Sequence, residues 1–233
     1  MSRKQRFNHF CGAVTSQGAI RLGLAACLAV LVAVSLPLVH VASAVPEPDP
    51  VPTRWELDFD AGPMRVAVVP VKESDGSVTD RTFYYFTYQV TNYSSEDLDF
   101  VPSFTLATGA GDVQASGIAV PDSVTRSLIT RLRDPLLQDQ IEIIGTIRRG
   151  EAYARSGIVI WPVLDNDPEE LTVYAAGFSG ESETVEFPSA DDEPVRLTFR
   201  KTRMLRYDTP GDLRPDIQGD EPFTLSESRW IMR

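Results

Sequence analysis

Beyond residue 44 the chain has no histidine and no cysteine; His9, Cys11, Cys27 and His40 all precede it. Residues 45–233 therefore cannot build a Ser-His-Asp triad, a thiolate nucleophile or a His/Cys metal site. Disulfides cannot staple that part either, so its hydrophobic core must hold it together. Positive charge is scarce too, and four of the 22 basic residues (Arg3, Lys4, Arg6 and Arg21) lie before residue 45. With 1–44 removed, 18 basic and 33 acidic residues remain, a net charge of −15. Such a surface repels phosphate backbones and anionic membranes. Nucleic acid is excluded as a partner on that ground.

What is present begins with the leader. Residues 1–44 carry no acidic residue, then an apolar run over 22–34, and end in Ala42-Ser43-Ala44. A basic start, an apolar middle and a small-residue exit are the parts of a signal peptide. Residues 22–44 are also close to the ~20 needed to span a bilayer, so the leader, if uncleaved, is an anchor and the chain's one membrane contact. Cys27 follows Leu24-Ala25-Ala26 as in a lipoprotein box, but Arg21 leaves almost no apolar stretch before it. The expected location is outside the cytoplasm: extracellular, periplasmic or in the cell envelope.

Residues 45–54 contain Pro46, Pro48, Pro50 and Pro52, which favour an extended linker. Residues 55–207 read as a domain of short strands. The clearest is 82–91, where Tyr84, Phe86, Tyr88 and Val90 alternate with Tyr85, Thr87, Gln89 and Thr91, as in a half-buried antiparallel strand. A return strand is predicted over 100–108, and others over 65–71, 141–147, 154–161, 170–177, 184–187 and 195–204. Between them Val124, Leu128, Ile129 and Leu132 recur at helical spacing, predicting a helix from Asp122 or Ser123 as cap to Arg133. A second helical turn is predicted over 135–140. The expected core is Val66, Val68, Phe86, Tyr88, Val90, Phe104, Leu106, Ile158, Ile160, Trp161, Val173, Leu197 and Phe199. Residues 208–233 read as a polar C-terminal tail whose end, Trp230-Ile231-Met232, docks.

One stretch has a familiar order. Val90-Thr91-Asn92 closes an aromatic strand, and Phe104-Thr105-Leu106 opens one that reaches Gly111. Later, Arg149-Gly150-Glu151 precedes the strand Gly157-Ile158-Val159-Ile160-Trp161. Over 65–177 this resembles the telokin-like immunoglobulin-fold domains of secreted bacterial proteins and lipoproteins, with Arg149 where that family usually has proline. The resemblance implies a mainly β, immunoglobulin-like antiparallel β-sandwich with one helical insertion. It carries no catalytic residue, so the expectation is a non-enzymatic domain without cofactor, acting on an unknown protein or cell-envelope polymer.

Candidate sites are few. Asp165, Asp167, Glu169 and Glu170 share a turn and could offer oxygens to calcium, but lack the spacing of a defined loop. Asp75 and Asp80, and Asp191-Asp192-Glu193, are weaker versions; all read more simply as solvated turns, and no metal ligand is assigned. Paired carboxylates for glycoside hydrolysis carry no weight in so acidic a chain. Trp55, Trp161, Trp230, Tyr84, Tyr85 and Tyr88 could stack on sugar rings, the alternative being a carbohydrate-binding module. Tyr85, with polar neighbours on its face, is the one predicted to point outward. Arg196, Arg200, Arg203 and Arg206 line the last strand and should pair with acidic neighbours. Asn92-Tyr93-Ser94 matches a glycosylation acceptor.

Overall fold

A computed structural model describes residues 45–164, 170–188, 193–209 and 223–233. The leader 1–44, Asp165, Asp167, Glu169, Asp191 and Asp192 lie outside them. The chain runs through β1 (Asp58–Ala61), β2 (Arg65–Lys72), β3 (Val78–Thr91), β4 (Leu98–Phe100), β5 (Ser103–Thr108) and β6 (Val113–Ala115). Helix α1 (Asp122–Leu132) follows, then β7 (Leu137–Gln138), β8 (Gly145–Ile147) and β9 (Arg155–Pro162). Four strands close it: β10 (Glu170–Ala176), β11 (Ser182–Phe187), β12 (Val195–Asp208) and β13 (Thr224–Met232).

Two mainly antiparallel sheets make a β-sandwich. In the first, β3 lies between β9 and the consecutive pair β1 and β2, and β7 adds a short parallel edge to β9. In the second, β12 and β5 flank β10, with β6 beyond β5 and β13 beyond β12. β4 and β8 form a separate pair. The core between the sheets is aromatic. Phe86 meets Phe104 edge-on at 5.8 Å and stacks on Trp161 at 5.9 Å, while Phe59 sits 4.3 Å from Phe178.

Helix α1 covers the other face of the first sheet. Val124 and Leu128, one turn apart, pack on Ala67, Val69, Val71, Phe83, Tyr85, Ile158 and Ile160. β3 and β9 are therefore buried on both faces, not half-buried as the alternation predicts. The continuous apolar run Phe83-Tyr84-Tyr85-Phe86 is the signal for this, since two-sided burial erases alternation. Several boundaries move for equally local reasons. Neither Asp122 nor Ser123 caps α1: Pro121 holds the N-cap position and makes no side-chain bond there. The predicted turn 135–140 contains β7 instead, because Asp134 and Asp139 accept backbone N–H groups two and three residues ahead and divert the chain from helix. The strand predicted over 141–147 shrinks to β8. The predicted return strand 100–108 breaks at Val101-Pro102 and its main part, β5, crosses to the opposite sheet.

The C-terminal reading changes most. Residues 224–232 are no tail but β13, paired with β12 from Lys201 to Asp208. Of the predicted core, Leu197 is exposed, and Val66, Val68 and Phe199 are half-buried; the other nine are buried.

Candidate functional site: an amphipathic β-ribbon

Strands β10 and β11 lie along the same side of β12, one after the other. Between them residues 177–181 leave the ladder: Gly177 has φ 91°, and Phe178 turns into the core. Among the described residues β11 pairs with β12 alone, and Val195 to Phe199 of β12 pair with β11 alone. What remains is a two-stranded ribbon, Ser182–Phe187 against Val195–Arg200, extending from the sandwich.

The ribbon's faces differ because side chains alternate. One face carries Val185 opposite Leu197, Phe187 opposite Val195, and Glu183 opposite Phe199. Val195 and Leu197 are each 48% exposed, and nothing among the described residues covers them. On the other face Arg196 pairs with Glu186 at 2.7 Å, and Thr184 and Thr198 share a hydroxyl hydrogen bond of 2.9 Å. Scattered apolar surface is ordinary, but five apolar side chains together on an open ribbon mark a contact surface.

The base of the ribbon is fastened by Lys201, whose side chain is 2% exposed. Its Nζ donates to Glu181 Oε2 at 2.8 Å and to the Asp49 carbonyl at 3.3 Å, and pairs with Glu56 at 3.1 Å. The Trp230 ring lies 5.5 Å from Nζ. The Asp49 N–H in turn donates to the second Glu181 oxygen at 2.8 Å. Burial opposes the charge on Lys201, but hydrogen bonds and ion pairs with Glu181 and Glu56 outweigh it and hold its pKa above the ordinary lysine value. Burial likewise opposes the charge on Glu181, and the Lys201 and Asp49 bonds overcome it, holding the carboxyl below its usual range. A lysine kept protonated is neither a nucleophile nor a general base. The cluster ties linker, ribbon and C-terminal strand together.

Two recesses lie among the described residues. One of about 500 Å³ runs beside α1, with Val120, Ile129, Leu137, Ile158 and Ile160 as floor and Asp122, Asp139, Glu142 and Arg126 among its lining. The other, about 330 Å³, is bounded by Phe59, Tyr93, Trp230, Asp58, Glu56 and Arg203.

Sequence candidates fall unevenly on this map. Tyr85 does not face outward; it is 4% exposed, beneath α1. Tyr85→Ala is expected to cost about 4 kcal/mol in denaturant unfolding, as for other large buried side chains; an exposed stacking residue would change stability by under ~0.5 kcal/mol. Tyr84, Tyr88 and Trp161 are core, and burial pushes the Tyr88 hydroxyl pKa up. Of the named aromatics, Trp230 lines the second of these recesses. Asn92 is fully buried and not open to glycosylation: its amide nitrogen donates to the carbonyls of Glu96 and Ile147 at 2.8 and 3.0 Å. Its oxygen accepts from the Ser94 N–H and hydroxyl. Arg206 bridges Glu170 and Glu227 and Arg196 holds Glu186, so the expected pairing with acidic neighbours holds for these two; Arg203 instead lies over Trp230 and donates to the Ser228 hydroxyl. Glu170 is thereby engaged with a guanidinium, and Asp75 holds Ser77. No group of acidic residues among the described ones is arranged to hold a metal. No described helix is long and apolar enough to cross a membrane. The ribbon itself is missed by sequence reading, although Val195-Arg196-Leu197-Thr198-Phe199 shows its amphipathic alternation. Alternation reports two unlike faces; whether the apolar one is covered depends on the layer above it.

Comparison with known proteins finds no matching family, no matching curated protein and no matching solved structure.

Proposed function

We propose that the chain is an exported, non-enzymatic domain of immunoglobulin-like, telokin-like type that works by contact with another protein. The observation that carries this reading is the ribbon's uncovered apolar face, with the polar face beside it satisfied internally. Export rests on the leader pattern, and intact mass of native protein from soluble and membrane fractions tests it. Loss of 1–44 supports an exported soluble domain; an uncleaved mass in membranes supports a tethered one; uncleaved protein in the cytosol overturns export. The contact reading is tested by a photo-crosslinking residue at position 197 in expressing cells. A discrete adduct with a different protein, absent when the residue is at 126 on α1, is the expected result. No adduct, or adducts only between copies of this chain, overturns it.

The recess at Trp230 favours one second reading, a carbohydrate-binding module. Phe59, Tyr93 and Trp230 supply ring surface, and Asp58 and Arg203 supply polar groups. Retention on an insoluble polysaccharide, lost in Tyr93→Ala, is its expected result; no retention on any polysaccharide removes it.

A further inference from the structure

The larger recess owes nothing to the ribbon: none of its lining residues lies in β11 or β12. Helix α1 lines one side, residues 139–142 the other, and Leu137, Ile158 and Ile160 lie between them. It exists because β7 is only two residues long. Just beyond it the Asp139 carboxylate turns the chain off the sheet, accepting the N–H groups of Ile141 and Glu142 at 2.7 and 2.8 Å. Gly117, at φ 74°, also lines the recess, and the Gln140 amide occupies the space that a Cβ there would need. The volume of about 500 Å³ falls within the range of small-molecule sites, and an apolar floor with a few polar groups at the rim is their usual composition.

The two sides differ in charge. On α1, Asp122 and Arg126 stand one turn apart, the spacing at which opposite charges offset each other, and Asp122 lies in the first turn, where the helix itself favours an acid. The other side carries Asp139 and Glu142, and residues 134–147 contain no lysine or arginine. One oxygen of each carboxylate accepts a backbone N–H within the turn. Neither carboxylate has an ion pair among the described residues, and Arg155, packed nearby, is engaged with the Ile143 carbonyl at 2.9 Å. We infer that this recess binds an organic cation: an amine whose apolar body lies on Val120, Ile129, Leu137, Ile158 and Ile160, and whose ammonium meets Asp139 and Glu142. The floor supplies affinity without regard to charge, and the acidic side selects the sign. The chain's excess of 33 acidic over 22 basic residues favours the same sign at long range. Asp139 is already fixed by its turn, so little ordering opposes binding. The site is separate from the ribbon and stands whatever the ribbon contacts.

Octylammonium and octanoate test this directly, since they share a tail and differ in sign. The full chain is titrated with each at pH 7 and followed by methyl NMR. Octylammonium is expected to shift the methyl signals of Val120, Ile129, Leu137 and Ile160 with a Kd of about 1 mM, ordinary for so small a ligand. Octanoate is expected to bind at least tenfold more weakly. Asp139→Asn combined with Glu142→Gln keeps the side-chain oxygens that hold the turn and removes both charges. It should weaken octylammonium about fivefold without lowering Tm, and narrow the gap between the two ligands. Glu183→Gln removes a charge on the ribbon instead and should leave both affinities unchanged. No shift of those methyls at about 10 mM octylammonium, far above the expected Kd, overturns the inference. So does octanoate binding as tightly as octylammonium, a double variant that binds octylammonium like wild type, or an equal loss in Glu183→Gln.

Discussion

Lys201→Met is expected to destabilise the protein by about 3 kcal/mol at pH 7, near the lower end for breaking a buried ion pair by removing one partner. The methionine matches the lysine's volume and can still pack on Trp230, so the loss is electrostatic. Glu181 and Glu56 would keep their charges side by side without a cation, and Asp49 would lose one of its two anchors. Glu56 keeps 26% side-chain exposure, which tempers the cost. The pH dependence gives the sharper signature. The lowered pKa of Glu181 contributes stability above the ordinary carboxyl value, about 4.3, and that contribution is lost as pH falls through the lower folded value. The raised pKa of Lys201 contributes stability below about 10.4, lost as pH rises through the higher folded value. Wild type and variant should therefore differ fully between about pH 5 and 10, and converge as acid protonates Glu181. Denaturant titrations at pH 7 and at pH 3 measure both; a difference that stays constant across them contradicts the ion-pair account.

Asn92→Asp is expected to cost at least as much, roughly 4 kcal/mol at pH 7. One carboxylate oxygen keeps the Ser94 bonds, but the other replaces an N–H₂ group that served two carbonyls. A buried anion would then face the oxygens of Glu96 and Ile147 at hydrogen-bond distance. Burial and those oxygens would raise its pKa, so the variant's deficit should grow as pH rises through that raised value and shrink in acid. Thermal unfolding should show a Tm lowered by about 10 °C, taking ~2–4 °C per kcal/mol at this chain length. Asn92→Asp with an unchanged Tm would show that the turn 92–96 is not held by this side chain.

Much of the β-sandwich is legible in the residues, because local rules decide it. The aromatic run of β3, the continuous apolar run of β9, the Val-rich β2 and the helical spacing from Asp122 to Arg133 all mark their elements. Turns at Ser74–Ser77 and Gly109–Asp112 follow from Asp and Gly chemistry. What local pattern cannot convey is which layer lies above a face. Tyr85 looks outward beside Thr87 and Gln89 until α1, forty residues later, folds over it. Leu197 looks inward until the sheet that would cover it ends short. The C-terminal strand is obscured for a different reason: Asp and Pro dominate 208–221, and their loop chemistry masks the modest alternation of 224–232. Lys201 and Asn92 are long-range solutions to burying a polar group, and their partners lie up to 152 and 55 residues away.

The most direct test of the account is residue-resolved amide hydrogen exchange across β12, measured by NMR in dilute solution. An open-edged ribbon requires alternation: Leu197 and Phe199 protected through β11, Arg196 and Thr198 exchanging at near-unfolded rates while Lys201 to Tyr207 remain protected throughout. Uniform protection from Val195 to Phe199 in a dilute monomer would mean that the outer edge of β12 is covered within one chain, and would contradict the two-stranded ribbon.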